Sequence, residues 1–288
     1  MSAYRAGVVA ILGRPNAGKS TLLNAILGEK LAIVTAKPQT TRSRILGIHT
    51  RPDAQLLFVD TPGLHESERV LNGALIGQAL EAGDDCDVAL LLVDLTGRWG
   101  ADHTALLADL ESKGKPVLVV GTKDDLAKED VEWPPPGVER AFRVAARRRE
   151  GVDALVDAAA ALLPESPPLY PEDDLSDRPL RFLVAELVRE AAFDSLEQEL
   201  PYVLAVEIEQ FDESRPELVK IRANLIVERK SQKPIVIGRE GRRIKRIGTR
   251  ARHEIEKLLD TRVHLELWVK IEPNWTKKPA RIESLGYV

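Results

Sequence analysis

Apolar positions follow two rhythms along this chain. In the first half they gather into short, nearly unbroken runs at residues 6–12, 56–59, 88–93 and 116–121. Runs of that kind suit strands buried on both faces of a sheet. Segments with helical spacing stand between and after them, at 20–27, near 70–82, at 102–113 and at about 152–163. Residues 45–50 and 55–59 read as paired strands around the turn Arg51-Pro52-Asp53. Strands and helices alternating at these lengths predict an α/β domain, with a mostly parallel sheet and helices on both faces. Crossovers in such a sheet are right-handed, and ligands bind at the C-terminal ends of its strands.

In the second half the rhythm changes to alternation, at 202–208, 218–227 and 263–271, preceded by a helix over 181–193. Between the last two strands, Ile235-Val236-Ile237 leads into Gly238-Arg239-Glu240-Gly241. A helix with the buried stripe Ile244, Ile247, Ala251, Ile255 and Leu258/Leu259 follows. This is the pattern of a smaller α+β domain. Residues 164–174 are proline-rich and acidic and read as a semi-rigid linker crossed by no helix or strand. The expected division is 1–163, linker 164–178, and 179–288.

Composition narrows the class. At 288 residues, 44% hydrophobic and 30% charged, the chain has enough apolar content for two cores. No apolar run approaches the ~20 residues that cross a bilayer. The first residues lack a signal peptide's apolar stretch, so a cytoplasmic protein is expected. The single Cys86 excludes an intramolecular disulfide and reads as a small buried residue. Cys/His clusters are absent, so any metal should arrive with a phosphate ligand. The net charge of −4 hides an asymmetry: residues 1–177 sum to −8 and 178–288 to +4. A nucleic-acid or acidic-surface partner is expected for the second half only.

The chemistry starts at Gly13-Arg14-Pro15-Asn16-Ala17-Gly18-Lys19-Ser20, with Thr21 opening the helix beyond. Strand, glycine-bounded loop and helix together make a phosphate cradle. Backbone N–H groups curl inward, the helix N-terminus adds positive potential, Lys19 reaches the β- and γ-phosphates, and Ser20 ligates Mg²⁺. The polar loop 32–42 is a candidate switch with Thr41 as its Mg²⁺ contact; a plain solvated loop is the alternative. Asp60-Thr61-Pro62-Gly63 ends a buried strand, where Asp60 grips the metal from its second shell and Gly63 lets a backbone N–H approach the γ-phosphate. In Thr122-Lys123-Asp124-Asp125, Asp125 accepts from guanine N1–H and the 2-amino group, and the Lys123 stem covers the base. Adenine offers neither donor.

In the second half, the Gly-x-x-Gly step lets a nucleic-acid backbone pack against a helix N-terminus. The contact set is Ile237, Gly238, Arg239, Glu240, Gly241, Arg242, Arg243, Lys245 and Arg246. Seven bases and one acid lie in 239–252, a groove wall for about four nucleotides. A solvated basic helix face fits the arginines alone equally well. Trp268 and Trp275 are the nearest aromatic candidates, and packing in a core or tail is expected for both.

These motifs, in this order, resemble the translation-factor-related small GTPases. G-R-P-N-A-G-K-S, P-Q-T-T-R, D-T-P-G-L-H and the second half resemble the bacterial Era family, whose second domain is a type II KH domain. The resemblance covers essentially the whole chain, to Leu285-Gly286-Tyr287-Val288. It implies GTP hydrolysed to GDP with Mg²⁺, a role in small-subunit ribosome assembly, and a monomer. Its partners would be the small ribosomal subunit and the 3′ end of its RNA, with peripheral contact to the inner membrane face. It implies a catalytic set of Lys19, Asn16, Thr41 and Gly63, with Asn16 helping to hold K⁺. Leu64 stands where Ras-like enzymes carry a water-orienting Gln, so intrinsic hydrolysis should be slow. Thr122 replaces the usual Asn, and Ala145-Ala146 replaces Ser-Ala, leaving the Ala146 N–H for guanine O6. Guanine preference should persist with looser binding. The competing reading is an RNA-tethering factor whose nucleotide only stabilises the fold.

Overall fold

The computed structural model of the chain describes residues 3–35, 45–60 and 85–287. Two compact units emerge: Met1–Ala32 with Ala36–Asp177, and Ile33–Thr35 with Arg178–Val288. The first is the expected α/β layer structure. Its strands are β1 (Arg5–Gly13), β2 (Ile45–Thr50), β3 (Ala54–Asp60), β4 (Val88–Asp94), β5 (Val117–Thr122) and β6 (Ala141–Arg143). They form one sheet in the order β2-β3-β1-β4-β5-β6. All neighbours are parallel except the β2–β3 pair, which the Arg51-Pro52-Asp53 turn makes antiparallel. Helices α1 (Lys19–Leu27) and α3 (Val152–Leu162) press Leu22, Leu23, Ile26, Leu155 and Ala159 onto Val9, Ile11, Phe58, Leu90 and Val120. Helix α2 (Ala101–Ser112) sets Leu110 against Ala10, Leu12, Ala89 and the buried Cys86. Burial of each large apolar side chain contributes about 1.5–3 kcal/mol. The helix expected near 70–82 falls outside the described residues.

The proline-rich stretch is tied down as a strap on the first unit. Ala6 N–H donates to Pro164 O at 3.2 Å, and Ser166 N–H to Tyr4 O at 3.1 Å. Further along, Ile48 N–H donates to Leu175 O at 2.9 Å and Ser176 Oγ to Leu46 O at 2.7 Å. Between these ends stands Gln55, fully buried in β3. Its Oε1 accepts from the N–H groups of Leu169 (2.7 Å) and Tyr170 (2.9 Å), and its Nε2 donates to Tyr170 O (2.9 Å). A side-chain amide here does the work of a neighbouring strand.

The second unit contains α4 (Leu180–Ser195), β7 (Ala205–Asp212), β8 (Leu218–Val227), α5 (Gln232–Ile237), α6 (Arg242–Leu259), β9 (Arg262–Ile271) and α7 (Pro279–Ser284). Its sheet runs β7-β8-β9, with β7–β8 antiparallel and β8–β9 parallel. One face packs Val219, Ile221, Leu225, Val263 and Val269 under Ile247, Ala251 and Ile255 of α6 and Val184 and Val188 of α4. The strand expected from 202 begins only at Ala205, because Leu200–Val203, with Pro201 inside, forms a 3₁₀ turn. Trp275 packs as expected, 1% exposed in a small tail core with Leu285 and Tyr287. Trp268 does not: it is 61% exposed, because strand alternation turns it to the opposite face from Leu267 and Val269.

Candidate functional site

The phosphate loop joins β1 to α1, and only glycine fits where it turns. Gly13 has φ +151°, and a Cβ there would meet Leu92 O at 2.8 Å. Gly18, at φ +91°, stands at the N-terminal cap of α1, and exposed Asn16 is also left-handed at φ 63°. Lys19 is buried, its Nζ donating to Gly13 O at 3.0 Å and Arg14 O at 2.9 Å. The loop's own carbonyls therefore aim the ammonium before any phosphate arrives. Burial pushes Lys19 down to about 8, partly countered by Asp60. The Arg14 guanidinium is committed to a bidentate pair with Asp102 at the start of α2, so Arg14 serves the loop through its backbone.

Asp60 ends β3 beside this loop with no exposure at all. Its Oδ2 accepts from Ser20 Oγ at 2.6 Å, while Oδ1 has no hydrogen-bond partner among the described residues. Burial lifts its pKa to about 6, against the pull of Lys19 and Ser20. An orphaned buried carboxylate oxygen beside a serine hydroxyl is a hard-oxygen donor set, and it fits Mg²⁺. Thr41, Thr61, Pro62, Gly63 and Leu64 lie outside the described residues.

The base-recognition turn follows β5. Thr122 is 2% exposed, and its Oγ1 donates to Ala17 O at 2.7 Å with Val93 O at 3.2 Å. The hydroxyl thus ties this turn to the phosphate loop. Asp124 is engaged elsewhere, its Oδ1 accepting from Arg143 Nε at 2.7 Å. Asp125 is half-buried with no hydrogen-bond or ion-pair partner among the described residues, as a carboxylate reserved for a ligand should be. Ala145 is buried, and Ala146 opens a 3₁₀ turn held by Ala145 N–H to Glu150 O at 3.1 Å. Sequence reasoning missed Asp94: its Oδ2 lies 2.6 Å from Lys123 Nζ, and its Oδ1 accepts from Thr96 N–H and Oγ1 at 2.9 and 2.7 Å. Burial raises that carboxyl, but Lys123 and Thr96 outweigh it, and the net shift is down.

In the second unit the glycine step joins α5 to α6. Gly238 (φ 74°, ψ 171°) admits no side chain, since a Cβ would lie 2.6 Å from Arg243 Cβ. Gly241 (φ 73°) caps α6, with nothing within 4 Å of its Cβ direction, so a polymer backbone can approach it. Arg242 pairs with Glu240 and Arg243 donates to Ile235 O at 2.6 Å. Arg239, Lys245 and Arg246 are exposed and carry no ion pair among the described residues. Ile237 packs against the core of this unit, flooring the step. The structure gathers the predicted contact set at one helix N-terminus.

Comparison with known proteins agrees with this geometry. The family described as 50S ribosome-binding GTPase matches residues 8–123, and the KH domain family matches 199–276. GTPase Era of Halothermothrix orenii is 41% identical over 99% of both chains. GTPase Era of Nitratidesulfovibrio vulgaris strain Miyazaki F is 44% identical over 98% of this chain and 97% of its own. A crystal structure of an Aquifex aeolicus Era variant bound to GDP·AlF₄⁻ superposes with a TM-score of 0.91 at 37% identity, covering 99% of each chain. Era in complex with MgGDPNP and nucleotides 1506–1542 of 16S ribosomal RNA superposes at 0.88, with the same identity and coverage.

Proposed function

The chain belongs to the Era family of GTPases, and from that premise we propose a switch whose nucleotide site controls how firmly its KH domain holds single-stranded RNA. The RNA is the 3′ end of small-subunit ribosomal RNA, and the setting is assembly of that subunit in the cytoplasm. The observation that carries this reading is the coexistence, in one chain, of an aimed Lys19 cradle and an unobstructed Gly241 step flanked by the exposed Arg239, Lys245 and Arg246. Support for the RNA's identity comes from the relative crystallised with 16S nucleotides.

The residues divide the chemistry. Gly13 and Arg14 carbonyls hold the Lys19 ammonium where it meets the developing charge on the β- and γ-phosphates. Ser20 and Asp60 would hold Mg²⁺, which when bound neutralises phosphate charge and orients the oxygens for in-line attack. Its affinity should fall as pH drops below about 6, where Asp60 takes up a proton. Asn16, exposed on the loop, would help hold a K⁺ ion that replaces an arginine finger electrostatically. Equal turnover in K⁺ and Na⁺ buffers would remove that part. Asp125 selects guanine. Because Gly238 and Gly241 keep the RNA backbone close to a helix N-terminus, affinity comes from phosphates and specificity from base edges in the groove.

A Lys19→Ala variant tests the switch against mere tethering. The switch predicts turnover lost by at least a hundredfold and RNA affinity that no longer responds to GTP. Wild-type complementation by that variant in cells would favour tethering instead.

A further inference from the structure

We infer that Asp94 is a positioning residue for guanine recognition, acting through Lys123 without touching the base. This rests on the guanine reading of Lys123 and Asp125. Asp94 closes β4, Thr122 closes β5, and the two are register partners in parallel strands. Strand adjacency thus delivers a carboxylate to the base-recognition turn from 29 residues upstream. Lys123 is left-handed (φ 56°, ψ 38°), and its ammonium reaches Asp94 at 2.6 Å. Its aliphatic stem therefore crosses from the end of β5 to the end of β4.

The carboxylate is itself held. Thr96 binds its other oxygen through both N–H and hydroxyl, while Gly97 N–H donates to Asp94 O and Leu95 N–H to Thr122 O, each at 3.0 Å. Asp94 cannot follow a wandering lysine; it stations one. Both partners remain about a third exposed, so the pair contributes little to folding. What it supplies is preorganisation. An unanchored lysine stem samples many rotamers and must be ordered when a purine settles on it, whereas this stem is laid out beforehand. The stem sets the height of the purine plane, and Asp125 then reads the edge of a base already at that height.

The test uses the full chain and two probes. A fluorescent GDP analogue reports base and phosphate contacts together; tripolyphosphate with Mg²⁺, used as competitor, reports the phosphate loop alone. Asp94→Asn keeps the shape and loses the charge. Expected are a roughly tenfold weaker affinity for GDP and unchanged competition by tripolyphosphate. The loss should appear in KM for GTP rather than in kcat, with the melting temperature of nucleotide-free protein unchanged. In a Lys123→Ala background, Asp94→Asn should add nothing further. Unchanged GDP affinity, an equal loss for tripolyphosphate, or a full additional effect on top of Lys123→Ala would each overturn the inference. Asp125→Asn separates the levels. If guanine preference survives that change, the underlying reading fails; if it is lost while Asp94→Asn is silent, only the role of Asp94 fails.

Discussion

Asp60, at the end of β3, and Lys19, at the start of α1, are opposite charges kept out of water, and burial moves both from their ordinary values. Between the ordinary carboxyl value of 3.8 and about 6, the folded protein holds a proton on Asp60 that the unfolded chain has released. Stability from this group therefore falls as pH rises through that window. Lys19 moves from 10.5 to about 8, so there the unfolded chain holds the extra proton, and stability recovers as pH rises from about 8 to 10.5. At roughly 1.4 kcal/mol per pKa unit, Asp60 costs the nucleotide-free protein about 2–3 kcal/mol at pH 7. Asp60→Asn should return about that much in denaturant melts at pH 7 and little at pH 4, while abolishing the Mg²⁺-dependent tightening of GDP. A variant no more stable at pH 7 would contradict the burial cost. At this scale the sequence was most readable where a motif names its own partners. Lys19, Ser20 and Asp60 meet as expected, and Asp125 has no partner among the described residues. Asp94 was opaque because its partner is set by strand neighbourhood, and neither residue's local pattern announces it.

Among elements, strands buried on both faces were legible as apolar runs, and the amphipathic α6 as a stripe, because each signal is local and repeated. The strap over 164–177 was not. It has no period, its prolines withhold donors, and the amide that holds its middle lies on a strand that otherwise reads as core. Tyr170, packed on Leu46, Ile48, Leu57 and Val59, adds apolar cover to the same edge. β2 starts just past the candidate switch loop and β3 ends on the Asp60 of D-T-P-G, so the strap is fastened to the two strands that border both candidate switch segments. Gln55→Leu leaves the N–H groups of Leu169 and Tyr170 without their acceptor, at about 1–3 kcal/mol for each group that stays buried. Limited proteolysis should then cut within 164–177 at least tenfold faster, with GDP affinity retained. A strap equally resistant in the variant would show that Gln55 is not its anchor. Trp268 escaped for a simpler reason: alternation in β9 fixes its face, and aromatic character alone suggested a core.

Across the whole molecule, the asymmetry of −8 against +4 sorts the two ligands. The acidic half offers an anion only the local cradle around Lys19. The basic half offers Arg239, Lys245 and Arg246 to a phosphate chain. Two ligands on one switching protein are thermodynamically reciprocal: if GTP strengthens the hold on RNA, RNA strengthens the hold on GTP by the same factor. The most direct measurement is the dissociation constant of a single-stranded RNA carrying the 3′ end of small-subunit ribosomal RNA, taken at one salt concentration with a non-hydrolysable GTP analogue, with GDP, and with neither. The account predicts binding at least fivefold tighter with the analogue than with GDP, a coupling of about 1 kcal/mol. Identical constants in all three states would contradict it.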